Sequence, residues 1–408
     1  MKKSFILLST VFLFTACQSS TSAADSPFPT PSAVTAIKLK DVSDHWAMSA
    51  IEGAVKKGYV DGYEDSTFKP ENNVSRAEFV KMVITAIKEP VKSVSSGADW
   101  SSPYIAAAIN KGILRESDFL IDNVNDPISR LEMSRISLRA TDVTLQNKAI
   151  QIDNDSVMYN AAKMGLIQGM AKGALEPKSS TTRAQSVTII ERILKVNQGG
   201  TLEIDNYAVG NAELELKHTN IFTVMPHIFG GEQIEKWNPE NLTLETGDGL
   251  YKGTMDQIVA IDLEDPNDPN LALLGDISKL KWFNGRSFEN SPYVESRYMN
   301  SYVIYFKGHV DFNNDTNIYK SSSTLPIFSL DGFKNGAPTD SINGILSSPR
   351  PLFFKTSTDV PALIIPKDSI TDSYAGFSIS APAIPPAQNY NKKIFYSLIP
   401  EKIIKQHY

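Results

Sequence analysis

A glycine and an arginine recur three times along the first half of the chain, always eighteen residues apart: Gly58 and Arg76, Gly112 and Arg130, Gly165 and Arg183. The arginines follow one another at intervals of 54 and 53 residues. Two copies add a tryptophan twelve residues before the glycine, Trp46 and Trp100; in the third, Asp153 holds that place. A unit of this size cannot bury its own apolar face, whereas stacked neighbours bury a shared one. The chain must therefore fold this half as an array.

Each copy reads as helix, loop, helix. Ile51, Ala54 and Val55 form an apolar stripe at helical spacing, repeated by Ile105, Ala108 and Ile109 and, more weakly, by Met158, Ala161 and Ala162. The stripe ends at the repeated glycine, where a left-handed cap favours a residue without a side chain. Lys56, Lys57, Lys111 and Lys163 stand in the last turns, where the helix dipole favours cations. The second helix of each copy opens on a capping box: Ser75-Arg76-Ala77-Glu78, Ser129-Arg130-Leu131-Glu132 and Thr182-Arg183-Ala184-Gln185. The pattern predicts three units at 40–88, 94–142 and 150–197 forming one all-α, pseudo-threefold domain.

The repeated arginine has two readings. It is a first-turn residue pairing with a nearby carboxylate, or it joins free helix N–H groups in holding an anion. A first turn prefers acidic residues, so a cation kept at all three starts favours the anion.

The motifs around these positions resemble those of the S-layer homology family. Lys40-Asp41-Val42-Ser43-Asp44-His45-Trp46, Gly58-Tyr59-Val60-Asp61-Gly62-Tyr63, Asp65-Ser66-Thr67-Phe68-Lys69-Pro70 and Ser75-Arg76-Ala77-Glu78-Phe79 make the first copy a close match. The second has Glu116 in place of the glycine matching Gly62. The third lacks the tryptophan and carries Gln185, but keeps Gly169 and Pro177. The resemblance implies binding of secondary cell-wall polysaccharide, commonly pyruvylated, in grooves between adjacent copies. It implies that Arg76, Arg130 and Arg183 contact the pyruvate carboxylate. Trp46 and Trp100 offer a flat face to a sugar ring or belong to the core. Asp41 and Asp44 accept sugar hydroxyls or cap the first helix, the cap being favoured. Gly62 and Gly169 let a ligand approach the backbone or serve as turn residues.

Upstream of the repeats, Lys2 and Lys3 precede an apolar stretch, Phe5 to Ala16, that is too short to span a bilayer as a helix. Phe14-Thr15-Ala16-Cys17 resembles a lipobox, so 1–16 is expected to be a lipoprotein signal peptide and Cys17 the lipidated residue. Cys17 is the only cysteine, which excludes an internal disulfide. Residues 17–39, rich in Ser, Thr, Ala and Pro, read as a flexible linker.

From 198 to 408 the pattern changes. Ala212-Glu213-Leu214-Glu215-Leu216 and Asn241-Leu242-Thr243-Leu244-Glu245 alternate, Ser301 to Phe306 is β-branched and aromatic, and 352–354 and 363–365 are short apolar runs. These predict a β-rich domain, all-β or α+β, making the chain multidomain. Asp262, Glu264, Asp265 and Asp268 cluster, and Asp311, Asn313, Asp315 and Asn317 alternate oxygen side chains as calcium loops do. The EF-hand glycine and distal glutamate are missing, so solvated turns are the better reading and no metal site is expected.

A net charge of −6 and a pI near 5.5 disfavour nucleic acid as a partner. The five histidines lack zinc spacing, and no nucleophile elbow or phosphate loop is present, so neither a catalytic residue nor a cofactor is assigned. The leading expectation is a non-enzymatic envelope lipoprotein, exported, held to the membrane at Cys17 and to wall polysaccharide by its repeats, displaying its C-terminal domain. The alternative is a wall or glycan hydrolase with its active site in 198–408, which requires a pocket holding two carboxylates about 5–10 Å apart. A surface-array subunit is a third, weaker reading.

Overall fold

The computed structural model describes residues 39–92, 100–119, 123–229, 237–295, 299–320, 325–333, 336–337, 339–356, 359–369, 371–383 and 392–397. The expected signal peptide, Cys17 and all of the linker but Leu39 lie outside them.

Six helices form three pairs: α1 (Met48–Lys57) with α2 (Arg76–Ala86), α3 (Ser102–Lys111) with α4 (Arg130–Thr141), and α5 (Asn154–Lys163) with α6 (Arg183–Asn197). Gly58, Gly112 and Gly165 sit at φ of 74°, 82° and 73°, past the ends of α1, α3 and α5. The three capping boxes are complete, each cap side chain accepting the N–H three residues on while that residue's side chain accepts the cap N–H. A cap of this kind is worth about 1 kcal/mol.

The loop before each second helix joins the three pairs into a ring. The Val74 N–H donates to the Thr181 carbonyl at 3.0 Å, the Thr181 N–H to that of Ile128 at 2.9 Å, and the Ile128 N–H to that of Val74 at 2.9 Å. Around this triangle Phe79, Val83, Ile84, Ile128, Ile136, Val187 and Ile190 share one apolar core. No pair closes this core alone, so the array folds as one ring.

A seventh helix, α7 (Asn206–Lys217), packs on α5. This corrects the reading of 212–216 as a strand. Asp205 accepts the N–H groups of Tyr207 and Ala208 and so starts a helix. Ala208, Val209 and Ala212 then join the core of the helical half, while Glu213 is fully buried beside them. The apparent alternation arises because this inward-facing glutamate has a tertiary partner. It accepts the Phe222 N–H and the Thr223 hydroxyl at the start of α8 (Ile221–Val224), which is followed by α9 (Pro226–Phe229).

The strands begin at β1 (Thr243–Glu245), so Asn241 and Leu242 of the predicted alternation belong to the turn before it. They continue with β2 (Tyr251–Asp262), β3 (Lys281–Trp282), β4 (Ser301–Asn313), β5 (Ile327–Phe333), β6 (Arg350–Phe353), β7 (Ala362–Pro366), β8 (Thr371–Ser380) and β9 (Lys392–Ser397). An antiparallel sheet runs β1-β2-β4-β7-β6-β3, and a second runs β5-β8-β9. From Ile258 to Ile261 of β2 and from Tyr302 to Phe306 of β4 the ribbon is apolar on both faces because both are covered. Ile258, Ala260, Ile304 and Phe306 pack with Phe377 and Ile379, whereas Val259, Ile261 and Val303 pack with Trp282 and Leu352. Helices and antiparallel sheets thus occupy successive stretches of one chain.

Candidate functional site

Each second helix starts against the loop of the next pair. The N–H groups of Arg76 and Ala77 donate to Asp126 and Val124, those of Arg130 and Leu131 to Ser179 and Pro177, and those of Arg183 and Ala184 to Asn72 and Pro70, all at 2.8–3.0 Å. The third N–H of each helix is held by its capping box. The expectation of free N–H groups at these helix starts is therefore corrected: the backbone of the neighbouring loop takes them, and an anion is left only the side chains.

The three guanidiniums reach into the same inter-pair grooves in different surroundings. Arg76 donates from Nε to Glu132 at 3.0 Å and lies 2.9 Å from it through Nη2; its Nη1 meets the Asn123 carbonyl at 2.9 Å and Asp126 at 3.4 Å. It is neutralised by carboxylates. Arg130 is 4% exposed and donates to the carbonyls of Leu175 and Gln168, both at 2.8 Å. Burial holds its pKa below the ordinary arginine value, against the opposing effect of Glu176. Arg183 is half-buried and donates to the carbonyls of Phe68 at 2.9 Å and Asp61 at 3.0 Å, beneath the rings of Phe68 and Tyr63. No carboxylate lies within ion-pairing distance of it among the described residues.

Trp46 is 65% exposed and stacks obliquely on His45, whereas Trp100 is half-buried, with the Lys81 ammonium 5.4 Å from its ring centre. The third copy's Asp153 is the N-cap of α5. Neither Asp41 nor Asp44 caps α1, correcting the favoured reading. The N-cap is Ala47, and its N–H donates to His45 Nδ1 at 3.1 Å. Asp41 instead accepts the N–H groups of Phe68 and Lys69, each at 2.8 Å, pinning the loop that Arg183 meets. Desolvation works against its charge, but these N–H groups hold its carboxyl below the ordinary value. Asp44 is exposed.

The two loop glycines are crowded by the chain itself. A Cβ at Gly62 would stand 2.6 Å from Leu39, and one at Gly169 would stand 2.3 Å from Gly173. The Gly169 N–H donates to Asp205 at 3.0 Å, and α7 begins directly against Gly173, so the loop is covered at these two glycines while Met170, Ala171 and Lys172 between them stay exposed.

Three residues at these grooves were not singled out from the sequence. Tyr63, 40% exposed, has the Lys69 ammonium 4.0 Å and the Arg183 guanidinium 5.0 Å from its ring centre. Lys69 takes φ of 54°, as does its counterpart Glu176 at 46°, each directly before a proline. That Lys-Pro/Glu-Pro contrast was the signal available for Lys69. Asp205 lay beyond the last repeat and carried none.

In the other half, a cavity of about 570 Å³ opens between the loop after β2 and the start of α7, lined by Asp205, Tyr207, Asn220, Asp262, Asp265 and Asp268 among others. Its carboxylates fasten turns. Asp268 accepts the N–H groups of Asp262 and Asn270, Asp265 accepts the Tyr207 hydroxyl at 2.6 Å, and Lys367 bridges Asp262 and Glu264. Burial raises the pKa of Asp268 despite those two bonds. In the 311–317 segment Asp315 accepts the N–H groups of Asn317 and Ile318, the geometry of a turn. Among the described residues no three His, Cys, Asp or Glu side chains converge as a metal site requires.

The chain carries an S-layer homology domain: residues 38–80 match that family. A stretch of 177 residues is 34% identical to Amylopullulanase of Thermoanaerobacterium thermosulfurigenes, covering 38% of this chain and 9% of that protein. Another of 46 residues is 48% identical to the Cellulosome-anchoring protein of Acetivibrio thermocellus, covering 11% of this chain and 10% of that protein. The S-layer protein of Bacillus thuringiensis subsp. finitimus is 24% identical over 166 residues, covering 37% of this chain and 20% of that protein. The chain therefore spans between 9% and 20% of the length of these relatives. The shared segment groups it with cell-surface proteins, some of which are named as enzymes.

Proposed function

We propose that the helical half holds this protein to a carboxylate-bearing polysaccharide of the cell wall, and that the half after α7 is the part so displayed. The observation that carries this reading is the exposed, aromatic-lined cationic groove at Arg183, in a chain whose S-layer homology segment is shared with an anchoring protein and with S-layer proteins. A guanidinium matches a carboxylate in a planar fork, and an exposed aromatic face suits a sugar ring. Pyruvate linked as a ketal to the wall polymer is the carboxylate the family resemblance suggests. Export through the leader 1–16 and acylation at Cys17 would add a membrane anchor. A single acyl chain binds a bilayer only reversibly, so stable anchoring takes two chains or a second contact, which the wall would supply.

The test is co-sedimentation with purified wall sacculi before and after acid extraction of the secondary polymer. The protein is expected to pellet with intact sacculi and to stay in solution with extracted ones; equal pelleting with both refutes the reading. For the anchor, Cys17→Ser is expected to abolish incorporation of an alkyne-labelled fatty acid.

The cavity beside Asp262, Asp265 and Asp268 favours a second reading, a glycan hydrolase that the repeats deliver to the wall. It ranks lower because each of these carboxylates is already engaged in a turn or by a neighbouring side chain. Release of reducing sugar from purified wall glycan, lost in Asp265→Asn, would establish it.

A further inference from the structure

The sheet and the helical half meet over an apolar face that ends before the strands do. Val259 and Ile261 of β2, with Val303 and Tyr305 of β4, pack into one core with Leu214 of α7. Alternate residues share a face, so the next pair along it is Gln257 and Lys307, which stand opposite each other in the ladder. A register shift between Met255 and Gln257 interrupts the regular pairing there, and Lys307 donates to Gln257 at 2.9 Å. At this point the two halves part around a cavity of about 610 Å³, bounded also by α5, α7 and the loop 174–177.

We propose that this cavity takes a lysine side chain presented by a peptide, its methylenes on an aliphatic floor and its ammonium among carboxylates at the rim. No arginine lines the cavity, and the inference does not depend on the wall-polysaccharide reading.

The floor selects the stem. It consists of Met158, Leu175, Ala212 and Leu214, all buried. Among the described residues no aromatic side chain lines the cavity, so a sugar ring finds no flat face. A polymethylene chain suits aliphatic surface, and lysine is built to lay its stem on such a surface while its charged head stays at the edge.

The rim selects the charge. Asp155, Glu176 and Glu215 reach it from three separate segments, against the one ammonium of Lys307. Asp155 and Met158 are three residues apart on α5, as are Ala212 and Glu215 on α7, so each helix sets a carboxylate beside a floor residue. Arg130, bonded to the Leu175 carbonyl, acts on Glu176, which also accepts the Ser179 hydroxyl at 3.0 Å. Asp155 and Glu215 are exposed and make no ion pair among the described residues. An ammonium arriving at this rim meets two unpaired carboxylates, whereas a neutral or acidic side chain gains no such partner. The lining also suits a peptide backbone. Asn211 donates to the Lys172 carbonyl and keeps its side-chain oxygen for an N–H, and Lys307 keeps N–H groups for a carbonyl after bonding Gln257.

The experiment titrates the full chain, with isotope-labelled methionine methyls, with the blocked peptide acetyl-Ala-Lys-Ala-amide and with its norleucine and glutamate counterparts. The Met158 signal is assigned by its loss in Met158→Leu. The lysine peptide is expected to bind saturably and to shift the Met158 methyl, the norleucine peptide to bind at least tenfold more weakly, and the glutamate peptide not to bind. Asp155→Asn combined with Glu215→Gln is expected to weaken the lysine peptide at least tenfold. Glu240→Gln combined with Glu289→Gln removes the same charge from exposed positions in the other half and is expected to stay within twofold, which separates the site from net charge. All four substituted residues are exposed, so both variants keep the fold, checked by circular dichroism. Absence of saturable binding by the lysine peptide overturns the inference. So does norleucine binding equal to lysine binding, unchanged affinity in the variant of Asp155 and Glu215, or a Met158 methyl that stays in place while the lysine peptide binds.

Discussion

The loops of the first and third helix pairs are the same piece of backbone put to different uses. Each follows a helix ended at a left-handed glycine, each holds a residue at positive φ before a proline, and each receives an arginine from the preceding pair in the ring. The first loop faces outward with Lys69 and Tyr63 at its rim. The third is roofed by segment 202–208 and carries Glu176. Repetition therefore preserves the parts that close the ring, while the residues around them decide how much of each loop neighbouring chain covers: Gly165, Gly169 and Gly173 lie against segment 202–208, whereas 170–172 and 176–178 stay exposed.

The sharpest way to break this contrast is to remove its two arginines in turn. Arg130→Ala removes a buried cation from two carbonyls, that of Leu175 buried and that of Gln168 half-buried, and is expected to lower unfolding free energy by about 3 kcal/mol. Arg183→Ala frees carbonyls that solvent can reach, and is expected to cost about 1 kcal/mol while removing binding. Urea denaturation measures both. Equal losses would mean that the two grooves are equally buried in solution.

Next in size is a pH dependence placed in the helix that roofs the third loop. Burial pushes Glu213 up to about 7, against bonds from Thr223 and Phe222; Lys217 from its own helix also opposes the rise, and Tyr159 faces it from α5. Because the folded value lies above the ordinary glutamate value, its contribution is complete below about 4.5 and is lost as pH rises through 7. Glu213→Gln stays neutral throughout. Its stability relative to the parent is expected to improve by about 2 kcal/mol between pH 5 and pH 8, by thermal or urea unfolding. A constant difference across that range would show that Glu213 is not desolvated and that α7 is loosely docked.

How much of this was legible in the sequence differs between the loop and its roof. The capping boxes and helix-ending glycines depend on residues within four positions of one another, so local chemistry announces them, and all three boxes are present. The arginines were legible as groove residues, but not their separate fates. Those depend on Glu132 from another helix, on Glu176 and on Asp205. The roof was misread outright. Ala212 to Leu216 alternates like a strand, and only the Phe222 and Thr223 partners explain a glutamate facing inward on a helix. In the β-rich half, Ser301 to Phe306 was readable because a ribbon covered on both faces favours apolar side chains at successive positions, here Tyr302, Val303, Ile304 and Phe306.

A smaller effect tests the roof itself. Asp205 accepts the first N–H groups of α7 with one oxygen and the Gly169 N–H with the other. Asp205→Ala removes a helix cap and a link between elements at once, and is expected to cost about 1.5 kcal/mol. Hydrogen exchange should localise the change, with faster exchange at Gly169, Tyr207 and Ala208 while the amides of the first loop stay protected. Faster exchange at Tyr63 as well would mean that the two loops are coupled through the ring.

The smallest expected effect has the opposite sign and concerns the axis that both loops share. Three residues meet there through their backbones, and two of them, Val74 and Ile128, are aliphatic. The third is Thr181, fully buried, with a hydroxyl that finds no hydrogen-bond partner among the described residues. A buried hydroxyl left unsatisfied costs about 1–3 kcal/mol, and valine has nearly its shape. Thr181→Val should therefore raise unfolding free energy by about 1 kcal/mol, because it makes the third pair match the other two at the one point where all three touch. A loss of stability instead would reveal that the hydroxyl has a partner in solution and that the axis is less symmetric than its carbonyl triangle, so that the third pair differs from the first at its centre as well as at its rim.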